Sequence, residues 1–270
     1  MKTTLLFLSV FLSANLFGQQ MTFVPDDFFE QKLIDLGYDD VLDDSVLTDN
    51  ISVLTELVLW NSYISDLTGI QDFVSLVSLD CSSNQLTSLD VSENTALVEL
   101  SCNTQEITSL DVSQNTALKV LRCNNLLLTN LELSSNSELE VLSCYYNTLT
   151  SLDVSQNSNL TNLNCKQNLL NCLNLKNGNN SNMLVTVYTN TNLTCIEVDD
   201  VSYSNANWTA VDSQTYFSTN CNNDCSNTSS INELTTSKNL IQILDLMGRE
   251  TLFKPNTPLI YVYDDGSTEK

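Results

Sequence analysis

Between Leu76 and Leu175 the chain writes one 21-residue unit five times, from LVSLDCSSNQLTSLDVSENTA to LTNLNCKQNLLNCLNLKNGNN. Six sites per unit stay apolar: Leu76, Leu79, Cys81, Leu86, Leu89 and Val91 in the first. No helical period produces this spacing. The apolar residues come as two short alternating segments, L-x-C and L-x-V, set apart by Asn, Gln, Ser and Thr. Such a chain makes an extended arm, turns, makes another and returns one layer higher. A single coil has an apolar inner edge and nothing to bury it against, whereas a stack of coils supplies the partner at about 4.8 Å per layer. Cys81, Cys102, Cys123, Cys144 and Cys165 then form one inward column beside Leu79, Leu100, Leu121, Leu142 and Leu163.

Side chains alternate along an arm, so the neighbours of the inward residues face solvent. One outward column reads Trp60, Ser82, Asn103, Asn124, Tyr145 and Lys166. Next to it stand Val58, Asp80, Ser101, Arg122, Ser143 and Asn164, flanked by Glu56, Ser78, Glu99, Val120, Val141 and Asn162. Aromatic anchors among hydrogen-bonding groups suit a protein or glycan partner. The candidate binding residues are therefore Trp60, Asp80, Ser82, Glu99, Ser101, Asn103, Arg122, Asn124, Ser143, Tyr145, Asn164 and Lys166. A second outward row, Asp90, Asp111, Glu132, Asp153 and Asn174, reads as a charged side that blunts edge-to-edge sticking. Asn84, Asn147 and Asn168 are expected to bond backbone groups at the inner turn, with Gln105 and Leu126 interrupting their row.

The registered positions resemble the leucine-rich repeat family in its short, cysteine-containing form from bacterial surface proteins. The resemblance covers roughly residues 54–200. It implies a β-rich solenoid, a right-handed coil, with a binding role and no named ligand. In the first coil, Leu54 to about Gln71, L-x-L replaces L-x-C, and ISDLTGIQDF resembles the longer repeat of bacterial invasion proteins.

The flanks read differently. Residues 1–18 carry Lys2 and an apolar run from Leu5 to Phe11, followed by small or polar residues before Gly18. This is the pattern of a secretory signal peptide, too short in its apolar core for a membrane anchor. No later segment is long and apolar enough to span a bilayer. Residues 19–53 are expected to cap the open end of the stack through a helix with Phe28, Leu33, Ile34 and Leu36 on one side. The acidic stretch at 38–50 lacks the alternating spacing and glycine of a calcium loop and reads as a solvated turn. Residues 54–198 form the repeat body, and 199–230 a C-terminal cap and linker, in which Tyr203, Trp208, Val211, Tyr216 and Phe217 close the far end.

Four of the nine cysteines lie outside the ladder. Cys172 and Cys195 fall on neighbouring coils and are expected to bridge, as are Cys221 and Cys225 in CNNDC. The ladder cysteines read as small buried hydrophobes, because parallel Cβ vectors oppose the roughly 90° dihedral of a disulfide.

Residues 231–270 form a separate small β module, with strands over 239–246 and 259–263 and a DDG hairpin signal. The string resembles the C-terminal sorting domain of type IX secretion cargo through Asp245, Leu246, Gly248 and Arg249, and through Leu259, Tyr261 and Tyr263. The family pattern carries one more apolar strand beyond the point where this sequence ends at Lys270. The resemblance implies contact with the type IX machinery, passage across the outer membrane of a Gram-negative cell, and release or surface attachment.

The chain holds 33 acidic against 10 basic residues and no histidine. Nucleic acid is disfavoured, since its phosphates need clustered Lys and Arg. Without histidine there is no Ser-His-Asp or Cys-His pair, and the commonest metal ligand is missing. No catalytic constellation, metal site or cofactor is expected. The remaining functions are a non-catalytic binding or adhesion protein and a structural surface-layer spacer without a specific ligand.

Overall fold

The computed structural model describes residues 19–222 and 225, together with the strands Leu240–Leu244, Ile260–Tyr263 and Thr268–Glu269. The signal-peptide reading at 1–18 and the sorting-domain residues Asp245, Leu246, Gly248, Arg249 and Leu259 fall outside the described residues. The chain divides into two compact units after Asn227.

In the first unit the L-x-C arms are three-residue strands. Glu56–Val58, Ser78–Asp80, Glu99–Ser101, Val120–Arg122, Val141–Ser143, Asn162–Asn164 and Leu184–Thr186 form one seven-stranded parallel sheet. Leu57 pairs with Leu79, Leu79 with Leu100, and the register runs unbroken to Leu163 with Val185. Because parallel stacking sets equivalent sites above one another, a residue type that fits the inner edge once is favoured at every layer, with Leu59 and Val187 filling the cysteine column at its two ends. Backbone pairing runs past the strands, with Cys81 N–H donating to Ser101 O and Cys123 N–H to Ser143 O, both at 2.9 Å. All five ladder cysteines are fully buried and unbridged. Burial pushes each thiol up, Cys81 and Cys165 to about 12.

The second arm is regular only in later coils, where Ser151–Asp153, Cys172–Asn174, Cys195–Glu197 and Tyr216–Ser218 make a second parallel sheet. In earlier coils Leu89, Val91, Leu110 and Val112 are buried without forming strands. Ile196 pairs with Phe217, so the stack continues past residue 198, where the repeat was expected to stop. A helix, Val201–Asn207, takes up part of that last coil and hides the period, although Phe217 still falls 21 residues after Ile196. Trp208 and Phe217 are buried there with ring centroids 5.7 Å apart, while Tyr216 is exposed.

The disulfides differ from expectation in their pairing. Cys172 bonds Cys225 and Cys195 bonds Cys221, with Cα separations of 5.3 and 5.9 Å. Cys172 and Cys195 stand side by side, each one residue before the paired Leu173 and Ile196. Their parallel Cβ vectors favour partners from another segment over each other, the same geometry that keeps the ladder thiols apart.

At the first end, Asp26 opens the helix Asp27–Asp35. Its Oδ1 accepts the N–H groups of Phe28 and Phe29 at 3.0 Å. Its Oδ2 accepts Ser65 N–H, Ser65 O–H and Asp66 N–H at 2.8, 2.7 and 3.0 Å. One carboxylate thus starts the helix and ties it to the first coil. Burial pushes the Asp26 carboxyl up, but these bonds outweigh burial and hold it below the usual range. Phe29 and Leu33, one helical turn apart, are the buried pair, with Phe29 stacked 6.1 Å from Phe73. Phe28 and Leu36, expected on that side, are exposed. The acidic turn wraps the buried Glu30, whose carboxylate accepts the N–H groups of Asp43, Asp44 and Ser45 at 2.9 to 3.1 Å.

In the second unit Ile260–Tyr263 is the middle strand of an antiparallel three-stranded sheet, between Leu240–Leu244 and Thr268–Glu269.

Candidate binding face

Each coil of the first sheet ends its arm by turning through a left-handed residue. Asn61, Ser83, Thr104, Asn125, Tyr146, Gln167 and Thr189 stack with φ between 53° and 63°, and none is glycine. The turn is closed from inside by amides. Asn147 Nδ2 donates to Cys123 O and Cys144 O at 2.8 and 3.0 Å, and its Oδ1 accepts Leu128 N–H at 3.2 Å. Asn84, Asn168 and Asn190 do the same in their coils. Gln105, expected to interrupt the row, makes the equivalent bonds. Leu126 is a true break, and a cleft of about 680 Å³ lined by Gln105, Leu126 and Leu127 opens beside it.

A second amide row, unforeseen, runs through Asn94, Asn115, Asn136 and Asn157. Each is fully buried and donates to two carbonyls of the preceding coils, as Asn115 does to Val91 O and Asn94 O at 2.9 and 3.0 Å. Their Oδ1 atoms have no hydrogen-bond partner. The acidic row is turn chemistry. The Oδ1 atoms of Asp90 and Asp111 each accept a backbone N–H two residues on, from Ser92 and Ser113 at 2.9 Å, which holds both carboxyls below the usual range.

On the outward face the candidate residues separate into three groups. Ser82, Asn103, Asn124 and Ser143 bond one another: Asn103 Nδ2 donates to Ser82 Oγ at 3.1 Å, Asn124 Nδ2 to Asn103 Oδ1 at 2.7 Å, and Ser143 O–H to Asn124 Oδ1 at 2.8 Å. Ser82 and Asn124 are buried by this ladder. These polar groups are spent on each other and hold the middle of the face rigid.

Trp60 is 58% exposed at the first end, near the cation-free coils that carry Asp80 and Glu99, while Arg122 lies 4.0 Å from Glu99. Ser101 is half-buried between them, and Asn164 Oδ1 accepts Lys166 N–H at 3.4 Å.

The third group gathers at the far end of the sheet. Lys166 Nζ lies 5.2 Å from the Tyr145 ring centroid and 5.6 Å from that of Tyr188. Tyr145 meets Tyr146 edge-on at 5.6 Å. Tyr188 continues the outward column, since Val185 pairs with Leu163 and both tyrosine and lysine stand three residues later. A 22-residue step from Lys166 would have found it, as the first coil also steps by 22. Tyr146 escapes strand alternation, which turns it inward; its left-handed backbone leaves it 49% exposed.

No family model matches the chain. Over 81 residues, 29% of this chain, it is 35% identical to Internalin J of Listeria monocytogenes serotype 4b (strain F2365), a stretch amounting to 9% of that protein. The solved internalin InlF of the same strain matches with a TM-score of 0.54 and 20% identity, over 72% of this chain and 56% of that one. The functional domain of InlJ from Listeria monocytogenes, described as including a cysteine ladder, matches with a TM-score of 0.43 and 26% identity over 68% of this chain and 55% of that one. The chain therefore spans little more than half of these solved relatives. The likeness to InlF shows the architecture, a β-solenoid of about eight turns with the leucine-rich repeat fold of the internalins.

Proposed function

We propose that the chain is an exported, non-catalytic binding protein that presents the outer face of its seven-stranded sheet to a protein or glycan partner. The observation that carries this reading is the Tyr145, Tyr146, Lys166 and Tyr188 cluster, in which Tyr146 and Tyr188 are exposed and Tyr145 and Lys166 half-buried, set beside a hydrogen-bonded polar ladder. Fixed aromatic side chains give up little conformational freedom on binding, which is why they anchor interfaces. The absence of histidine and the burial of every free cysteine among the described residues weigh against nucleophilic catalysis. Residues 19–53 serve as the N-terminal cap, supported by the buried Phe29 and Leu33. Residues 199–230 serve as C-terminal cap and linker, supported by the two disulfides. The segment at 1–18 directs export, and residues 231–270 address the type IX machinery of a Gram-negative cell, which places the solenoid outside the cell.

The test is retention of wild type, Trp60→Ala and Tyr145→Ala on a glycan array and on immobilised surface glycoproteins. Saturable binding that Tyr145→Ala weakens supports the face. Binding that neither change affects moves the site elsewhere, and no saturable binding on any support favours the spacer reading.

A further inference from the structure

Charge is distributed unevenly over the outward positions of the first sheet. The three earliest strands carry Glu56, Asp80 and Glu99, whereas the four later strands, from Val120 to Thr186, carry no carboxylate at all. In a chain with 33 acidic and 10 basic residues, outward strand positions free of carboxylates beside a cation are a local exception; Asp212 stands on the adjoining turn, where both its oxygens are taken by the N–H groups of Thr189 and Asn190 at 2.8 and 2.6 Å. Among the described residues Lys119, Arg122 and Lys176 pair with glutamates, but Lys166 has no carboxylate within 4.0 Å and is held by two aromatic faces. Aromatic faces fix an ammonium in place without neutralising it, so its charge remains available to a ligand.

Tyr146 points the same way by a different route. A bulky residue in the left-handed region is strained, and Asn, Ser, Gln or Thr fills the equivalent place in every other coil. Here the strain holds a second ring at the surface beside Tyr145. The surrounding outward groups on these coils include Asn162, Asn164 and Thr186, amides and hydroxyls that recur about every 4.8 Å, layer by layer. Flat ring faces, small polar groups at each layer and one free cation are complementary to sugar rings, their hydroxyls and a carboxylate. The apolar surface at this end consists of the rings and of Leu184, exposed beside Asn162 on the last strand, a smaller apolar core than a protein partner buries.

Resting on the binding-face reading, we infer that this cluster takes a glycan bearing carboxylates, with Lys166 as the anion contact and Tyr145, Tyr146 and Tyr188 as stacking surfaces.

Titration calorimetry on the full chain tests this with oligogalacturonate, its methyl ester and a polyglutamate peptide. The expected result is binding of the acid form and roughly tenfold weaker binding of the ester. Lys166→Gln should lose about tenfold for the acid form only, Lys166→Arg should restore it, and Tyr188→Ala should weaken acid and ester alike. Lys32→Gln, which removes a charge from the distant helix, should change nothing, and thermal melts confirm that each variant is folded. Equal affinity for acid and ester, or loss with Lys32→Gln, overturns the inference. Preference for polyglutamate overturns the glycan assignment and leaves the binding face standing. If no probe binds although Tyr145→Ala still abolishes array retention, the carboxylate assignment fails alone; if array retention is also unaffected, the face fails with it.

Discussion

Replacing Asn147 by Ala tests whether turn amides hold the stack. The change removes two donated bonds and one accepted bond. Cys144 O keeps a bond from Asn168 Nδ2 at 3.0 Å, so it is not stranded. Cys123 O and Leu128 N–H lose their partner inside a region closed to water. Each stranded buried group costs about 1–3 kcal/mol, which puts the change at roughly 4 kcal/mol. A domain of this size loses about 2–4 °C per kcal/mol, so the midpoint should fall by roughly 10 °C. Asn147→Gln should cost within about 1 kcal/mol, because Gln105 already reaches the three equivalent groups two coils earlier. Calorimetry with urea titration of both variants gives the numbers. A fall below about 2 °C for the alanine variant, or equal losses for both, would refute the idea that a shared amide joins successive coils.

Further outcomes follow from the same geometry. Ellman titration of native protein at pH 8 should find none of the five ladder thiols reactive, because burial pushes Cys81 and Cys165 to about 12, and all five after denaturation without reductant. Peptide mapping should recover Cys172 with Cys225 and Cys195 with Cys221. Asp26→Ala should destabilise by about 2–3 kcal/mol at pH 7, as two backbone N–H groups of the first coil and the helix start lose their acceptor. The Asp26 carboxyl is depressed by folding, so its contribution is complete above the unfolded value of 3.8 and is lost as pH falls through the lower folded value. Wild type and variant should therefore converge in urea midpoints taken below that pH. Thr104→Asn should stabilise by about 0.5–1 kcal/mol, since Thr104 is β-branched at φ 59° where Asn125 stands in the next coil and Asn61 two coils before; an unchanged melting temperature would show that the turn stores no strain.

The inward columns were legible because parallel register demands the same residue type at each layer, and a 21-residue step displays that demand directly. The amide row at Asn94, Asn115, Asn136 and Asn157 was equally periodic but escaped a reading that counted apolar sites. Gln105 looked like an interruption because only its identity differs; its longer side chain delivers the same amide. The pairing of Cys172 with Cys225 was hidden because equivalent places on neighbouring coils favour Cys195, while the choice depends on which way Cβ vectors point. The binding face was legible as columns, but not in its division. Mutual bonding of Ser82, Asn103 and Asn124 could not be read from alternation, nor could the exposure of Tyr146, which depends on a backbone angle.

The proposed recognition surface is the far end of the first sheet. Placing a photo-crosslinking amino acid at position 145, and in a second variant at position 90 on the acidic row, tests it against a surface glycoprotein fraction. Covalent capture from position 145 that excess free fraction competes away, with none from position 90, is the expected result. Capture from 90 with none from 145 would contradict it.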